Sequence, residues 1–288
     1  MDTASATLYE RWLSALGTQW ADQLAITGAA SGKRLYEAKR LQTGLASWTS
    51  LRHATVLVNE RSAAECGEGG FEELLTQFPR GYVEPDPDTF HRIAALFDAL
   101  ADTVRLLPAN LGHSATVADY SYIGSDGNVR GGLIKWLRDS SATANRFRAI
   151  ADKQRRNEER TPEEYEAIHF VGRVAEHNML VFKSLVREDL GTANPQPMPK
   201  VVDVASAPGN ILHAAVGPAL EWNLAYPMLG RRMLAKGAIY SYYEFTQDRP
   251  LTDEQWRERM ANTERPDWVA PHVIETPLAC PPKVPFAP

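Results

Sequence analysis

The sequence predicts an α+β fold that is mostly helical and carries a small antiparallel β-sheet near its C-terminus. In the first two thirds of the chain, apolar residues recur at the three- and four-residue spacing of amphipathic helices. Further on the pattern changes to short β-like segments on either side of Gly230, which predicts a hairpin. The expected parts of one domain of 288 residues are a helical part at 1–190, a hairpin with a short helix at 199–262, and a Pro-rich tail at 263–288.

We expect the helical array to pack around one central helix, Leu41–Val58. One side of this helix carries an apolar stripe, made of Leu41, Leu45, Trp48, Leu51, Thr55 and Val58. Arg52 falls within the stripe, whereas His53 points away from it. A buried guanidinium needs a partner because it cannot lose its charge. Arg52 is therefore either a structural buttress or the edge of a site, and we predict a distant carboxylate partner: Glu244 first, then Glu84 or Asp203.

Local start signals and apolar stripes predict the other helices. Asp86-Pro87 combines a capping residue with proline at the first helical position. Thr161-Pro162-Glu163-Glu164 forms a capping box, and the apolar pattern after it predicts a helix as far as Val186. Apolar stripes alone predict a short opening helix at Leu8–Leu16 and a longer one around Leu133–Ile150.

The C-terminal third predicts strands and then irregular chain. Val201–Val204 is a short β-branched run, and Trp222–Met228 and Met233–Phe245 flank the Gly230 turn. Leu251-Thr252-Asp253-Glu254 predicts the start of a short helix. Residues 263–288 hold seven of the 19 prolines and should cover the surface without regular structure.

Composition excludes several classes of protein. The net charge is -5, and no basic block stands free of acidic residues, which disfavours nucleic-acid binding. No stretch approaches the roughly 18 apolar residues that a membrane span needs. The opening residues, MDTASATLYERW, lack the basic and apolar regions of a signal peptide.

No complete catalytic or metal-binding pattern is present. His169 and His177 share a predicted helix, but eight residues correspond to about 12 Å of rise, too far for two ligands of one metal. We therefore expect no metal, no cofactor and no catalytic residue. In the aromatic segment at 240–245, alternation places Tyr243 on one face and Glu244 on the other. Either this strand is buried on both faces with Glu244 paired to a cation, or Glu244 is presented among tyrosines in a cleft.

Several segments, taken in order, resemble the family of domains of unknown function numbered 3160. They are LASWTSLRHAT at 45–55, AECG at 64–67, GYVEP at 81–85, Asp203, AVG at 215–217, GAIYSYYEF at 237–245 and LTDEQW at 251–256. The resemblance extends from about Tyr9 to Trp268. It implies a bacterial, exported protein, often lipoprotein-like and much longer, of which this chain would be the C-terminal part, so we expect a periplasmic or extracellular location. The family carries no established reaction.

Departures from the family's pattern favour binding over catalysis. Ala54 stands where the resemblance leads us to expect an acid, and Ala205 and Ala207 stand where it leads us to expect a histidine and a second acid. We therefore expect an exported, non-catalytic binding or interaction protein, with Arg52, His53, Glu84, Asp203, Tyr243 and Glu244 as its binding residues. A protein partner or a larger assembly, with the chain as a structural subunit, is one form this function would take.

Two further predictions remain open at this stage. The alternative function is a hydrolase-like enzyme in which His53 works with Glu84 or Glu244 as an acid–base pair.

Cys66 and Cys280 lie in loop-like segments, and export of the relatives implies a disulfide between them. Two unpaired thiols are the other interpretation.

Overall fold

The computed structural model confirms the α+β class and describes residues 6–20, 30–56, 80–107, 129–175, 177–178, 199–260 and 262–269. The helices are α1 (Leu8–Trp20), α2 (Ala30–Val56), α3 (Pro87–Arg105), α4 (Val129–Arg156), α5 (Pro162–His169) and α6 (Asp253–Met260). The strands are β1 (Lys200–Ala207), β2 (Asn210–Val216), β3 (Leu220–Met228), β4 (Arg231–Ile239) and β5 (Tyr242–Gln247). None of the described helices is both long enough and apolar enough to cross a membrane.

The predicted helix starts are confirmed where the chain signals them locally. Asp86 caps α3, and its side chain accepts a hydrogen bond from the Thr89 amide at 3.1 Å. The capping box is present at α5, where Thr161 and Glu164 bond each other's backbone amides. This helix is shorter than predicted: α5 ends at His169, helical backbone resumes at 171–175 and 177–178, and the predicted end at Val186 lies outside the described residues.

The buried face of α2 differs from the predicted apolar stripe. Leu41 is 47% exposed, while the buried positions recur with spacings of three and four at Lys39, Gln42, Ala46, Thr49 and His53. The prediction that the apolar stripe faces the core is therefore wrong, and His53, which was predicted to point away from that stripe, is buried. Hydrophobicity reflects the average preference of a side chain for burial. Which face of a given helix is buried depends on the groups that pack against it in the fold. Here these partners include polar groups, so the buried face is largely polar.

The strands form two separate antiparallel sheets. β1, β2 and β5 pair in the order β1-β2-β5, and β3 pairs only with β4 within the described part of the chain. The hairpin around Gly230 is confirmed, with the glycine at a positive φ of 74° that suits its turn. The strand predicted at Met233–Phe245 is in fact two strands in different sheets, separated at Tyr240-Ser241. Asn210–Val216, which sequence patterns left unassigned, supplies the central strand β2.

The three-stranded sheet is covered on both faces. On one face, Ala46 of α2 packs with Val202, Ala214 and Tyr242. On the other face, Trp256 of α6 packs with residues that include Tyr243. Its indole nitrogen also donates to the Val216 carbonyl at 3.0 Å. Burial on both faces, one of the two interpretations of the aromatic segment, therefore holds for Tyr242 and Tyr243 but not for the whole strand, since Glu244 is exposed.

The smaller sheet and the start of the tail pack against other parts of the chain. Tyr226 and Met228 of β3 form a cluster with Tyr165 of α5. The predicted lack of regular structure holds for residues 263–269, and Trp268 is held by α2 and β5. Its indole nitrogen donates to the Tyr242 carbonyl at 2.8 Å, and its own carbonyl accepts from Gln42 Nε2 at 2.8 Å.

Candidate functional site

A buried ion pair joins α2 to the start of α3. Arg40 Nη2 lies 2.6 Å from Asp86 Oδ2, and both side chains are at most 4% exposed. The same guanidinium donates to the main-chain carbonyls of Thr18 and Gln19 at the end of α1. Thr89 adds a hydroxyl donor to Asp86 at 2.6 Å. Arg40 therefore links α1, α2 and α3. It can do so because its planar guanidinium presents several hydrogen-bond donors at once.

A second pair lies one position earlier on α2. Lys39 Nζ donates to Glu84 Oε1, and the hydroxyl of Tyr36 donates to Glu84 Oε2. Burial raises the pKa of the Tyr36 hydroxyl, and the negative charge of Glu84 raises it further. Lys39 Nζ also lies 4.9 Å from the ring centre of Trp222 on β3, a cation–π distance. Glu84, a predicted binding residue whose side chain is 27% exposed, thus belongs to a half-buried, charge-balanced cluster.

A large apolar cleft lies beside these ion pairs, between α1, α2 and α3. It has a volume of about 770 Å³. Its apolar lining is Leu8, Tyr9, Trp12, Ala15, Leu16, Leu51, Phe90, Ile93, Leu96, Phe97 and Leu100, and its polar lining is Gln19, Lys39, Thr43, Ser47, Glu84, Asp86 and Thr89. Thr43 and Ser47 are small side chains on the α2 wall, at the same spacing as Lys39 and Leu51 on either side of them. Larger residues at those two positions would narrow the cleft.

One donor in the cleft wall is without a partner. The indole nitrogen of Trp12 is buried, and no atom of the described chain accepts its hydrogen. An unsatisfied buried donor carries a desolvation penalty, so an acceptor oxygen placed there by a ligand would be favoured. Tyr9, which is 47% exposed, marks the side of the cleft that is open to solvent.

His53 belongs to a different buried contact, at the far end of α2. Its Nε2 lies 2.8 Å from Asp253 Oδ2, and both side chains are at most 3% exposed. Asp253 Oδ1 accepts the amide hydrogen of Val201 at 2.8 Å. This aspartate thereby connects α2, β1 and α6. His53 lines neither the interhelical cleft nor the pocket at Glu244.

Arg52 is not paired with Glu244, Glu84 or Asp203, the three carboxylates predicted as its partner. Among the described residues, no ion pair joins it to Glu244, Glu84 or Asp203. Glu244 is exposed instead and accepts a hydrogen bond from the Tyr242 hydroxyl at 2.8 Å. Glu244 also lines a small pocket of about 290 Å³, together with Leu45 and other apolar residues. Its described hydrogen bond is therefore to a tyrosine and not to a buried cation. The next residue, His53, does pair with a distant carboxylate, that of Asp253.

The remaining predicted site residues are dispersed. Tyr243 is buried on the α6 side of the larger sheet. Asp203 Oδ1 lies 3.0 Å from Nε2 of the fully buried His213, at the irregular step of the β1–β2 pairing. Cys66 and Cys280 lie outside the described residues, so the disulfide stays a prediction. Within the described ranges, no three His, Cys, Asp or Glu side chains are grouped so as to hold a metal ion.

Sequence reasoning identified Glu84 but missed the residues around it. Lys39, Arg40 and Asp86 lie at the polar end of the cleft, and Asp86 was recognised only as a helix cap. The available signal was the set of polar residues at positions 39, 40 and 42, on either side of Leu41 at the start of the apolar stripe. Polar residues in that position are ordinarily solvated, so the run does not by itself distinguish a buried cluster from a surface.

Comparison with known proteins places the chain in a family but gives it no reaction. No curated protein and no solved structure matches it. The family model described as "Protein of unknown function (DUF3160)" matches residues 1–269. With that match covering most of its length, the chain belongs to the DUF3160 family of proteins of unknown function.

Proposed function

We propose that this chain is a non-catalytic binding protein whose ligand lies in the cleft between α1, α2 and α3. The cleft itself is the observation that carries the proposal. Its volume of about 770 Å³ lies within the roughly 300–1,000 Å³ of small-molecule sites. Such sites combine apolar walls with a few localised polar groups, and here the charged groups gather around Lys39 and Glu84.

The chemistry of the walls points to a neutral, mostly apolar ligand. The positive charges of Lys39 and Arg40 are matched by Glu84 and Asp86. A charged ligand would disturb this balance in a poorly solvated space. The free donor of Trp12 favours a ligand with an acceptor oxygen. An apolar chain or ring system that carries a carbonyl, ester or amide group meets both conditions.

The hydrolase-like alternative receives no support from the described geometry. It requires His53 to meet Glu84 or Glu244 in one open pocket. His53 is 2% exposed and bonded to Asp253, whereas Glu84 is bonded by Lys39 and Tyr36. These contacts favour a structural role for His53.

A fluorescent ligand tests the cleft directly. Prodan is a neutral naphthalene ketone whose emission shifts to the blue on leaving water, and we expect it to bind the purified chain. Ser47→Leu should lower the affinity at least about tenfold because the larger side chain occupies the cleft. Trp12→Phe keeps an aromatic ring but removes the donor, and should lower the affinity about three- to tenfold. Ser50→Leu is the matched control, since Ser50 is on the same helix but does not line the cleft.

The possible results separate the proposal from its competitors. Equal prodan affinity in Ser47→Leu and Ser50→Leu would refute the cleft as the site. If the chain binds no prodan but its cleft-lining α1 residues are protected from hydrogen exchange by a protein partner, a partner helix is the occupant and the small-molecule proposal fails.

Export is the second part of the proposal, and its support is the resemblance to exported proteins. Fractionation of the source cell tests it. Recovery of the protein in the periplasmic or extracellular fraction is the expected result, and recovery with cytosolic markers would contradict it.

A further inference from the structure

Arg160 is a buried cation that forms no ion pair with any acid in the described part of the chain. It lies in the turn between α4 and α5 and is 4% exposed. Its Nη2 donates to the Gln154 side-chain oxygen, its Nη1 contacts the Met228 sulfur at 3.0 Å, and its Nε is buried without a partner. In the described part of the chain, no carboxylate oxygen lies within 4.0 Å of this guanidinium.

A second unsatisfied donor is close by. The hydroxyl of Tyr226 is also buried, and no described residue forms a hydrogen bond with it. Tyr226 is two residues before Met228 on β3, so the two side chains share one face of the strand, and both pack on Tyr165. Burial raises the pKa of the Tyr226 hydroxyl, and the positive charge of Arg160 opposes that increase. The two orphaned donors are therefore within electrostatic reach of each other.

The acids near Arg160 are each paired with another cation. The positive charge of Arg160 helps to lower the pKa of Glu164, but that carboxylate forms its ion pair with Lys153 at 2.8 Å. Arg80 and Glu159 pair with each other at 3.3 Å and are each about two-fifths exposed. Glu159 also accepts from the Tyr165 hydroxyl at 3.0 Å, so the carboxylate is already engaged. The carboxyl end of α4 contributes only a fraction of a negative charge. A trapped water would satisfy the donors but would leave the positive charge of Arg160 in place.

We propose that the junction of the α4–α5 turn with β3 binds a small monovalent anion, held by Arg160 Nε–H and the Tyr226 hydroxyl. The anion supplies one negative charge and two acceptor positions, which the described residues around Arg160 and Tyr226 do not provide. It is small because both donor atoms are out of contact with solvent. A halide ion and the carboxylate of a minimal acid such as formate share this chemistry. Neither residue lines the interhelical cleft, so the inference does not depend on the proposed function.

The test is the dependence of thermal unfolding on the anion. Chloride or formate replaces gluconate, a bulky anion, at constant ionic strength. Binding to the folded state alone raises the melting temperature progressively with the logarithm of the anion concentration above Kd. Arg160→Met should abolish this dependence, and Tyr226→Phe should weaken the anion affinity about three- to tenfold while keeping the aromatic ring. Arg156→Met is the control: Arg156 is exposed and paired with Asp152 and Glu158, so its loss should leave the dependence intact.

A direct readout keeps the proposal falsifiable if Arg160→Met does not fold. Crystals grown in bromide should show an anomalous peak beside Arg160 Nε in the wild type and a weaker one in Tyr226→Phe. A response to chloride but not formate identifies a halide site, whereas a response to both identifies a general site for small anions. The proposal is overturned if the melting temperature is the same in chloride, formate and gluconate. It is equally overturned if Tyr226→Phe and wild type respond alike and no bromide peak appears.

Discussion

Replacing Asp253 by alanine should remove the contact that ties the C-terminal sheet to the central helix. The carboxylate accepts hydrogen bonds from the Val201 amide and from His53 Nε2, each at 2.8 Å. Both of these bonds lie out of contact with solvent, since Asp253 is 3% exposed. Because alanine has no acceptor, the substitution leaves two buried donors unsatisfied.

The cost follows from those two donors. A buried donor that loses its partner costs about 1–3 kcal/mol, so the pair should cost about 4 kcal/mol. This value agrees with the roughly 3–5 kcal/mol that the removal of one partner from a buried ion pair costs. Asp253→Asn keeps the oxygen that faces Val201 and should cost about 1–2 kcal/mol. The assay is urea-induced unfolding followed by circular dichroism, with the change in free energy taken from the midpoint and slope.

The neighbouring residue provides the control. Glu254 is on the same first turn of α6, its side chain is 62% exposed, and it pairs with Arg257 at 2.7 Å. Glu254→Ala should change the free energy of unfolding by less than about 1 kcal/mol. If Asp253→Ala were no more destabilising than Glu254→Ala, the assignment of Asp253 as the connection would be refuted.

Two other predictions concern α5 and the larger sheet. Burial would raise the pKa of Glu164, but hydrogen bonds from Lys153 and the backbone outweigh it and lower that pKa below its ordinary value of 4.5. The stability that Glu164 contributes is therefore present above pH 4.5 and is lost as the pH falls through the folded-state pKa. In Glu164→Gln the free energy of unfolding should therefore decrease less steeply at acid pH than in the wild type. Parallel pH profiles of the two proteins would contradict this. Gly217→Ala should cost about 1–3 kcal/mol in urea unfolding, since a Cβ there lies 2.7 Å from a ring carbon of Tyr243. Gly17→Ala in α1 meets nothing within 4 Å and should stabilise by about 0.5–1 kcal/mol, and equal effects at the two glycines would refute the packing argument.

Sequence reasoning succeeded where the physical cause is local. The starts of α3 and α5 depend on a side chain that bonds an amide three residues away, so Asp86 and Thr161 signal them directly. Gly230 at positive φ signals the β3–β4 turn for the same reason. The same reasoning missed β2, because its two alanines and one histidine have weak strand preference. This strand is stabilised instead by pairing with β1 on one side and β5 on the other.

The candidate sites depend on groups that are distant in the sequence. Glu84 was named from the GYVEP segment of the family resemblance and as a candidate partner of Arg52 or His53, but Lys39 and Trp222, which pack around it, come from other parts of the chain. Arg160 lies in a charged run that reads as a solvated helix end, and only its packing against β3 takes it out of water. Local pattern does not separate a solvated polar residue from a buried one, because burial is set by what packs against it.

The sequence by itself determined the α+β class, the capped starts of α3 and α5 and the Gly230 hairpin, because each follows from periodicity or from chemistry within a few residues. Only the tertiary structure decided that α2 buries Lys39, Gln42 and His53 rather than Leu41. The physical reason is that a polar side chain can be buried when the fold brings it a hydrogen-bond partner, and those partners come from segments far along the chain: Glu84 for Lys39, the Trp268 carbonyl for Gln42 and Asp253 for His53.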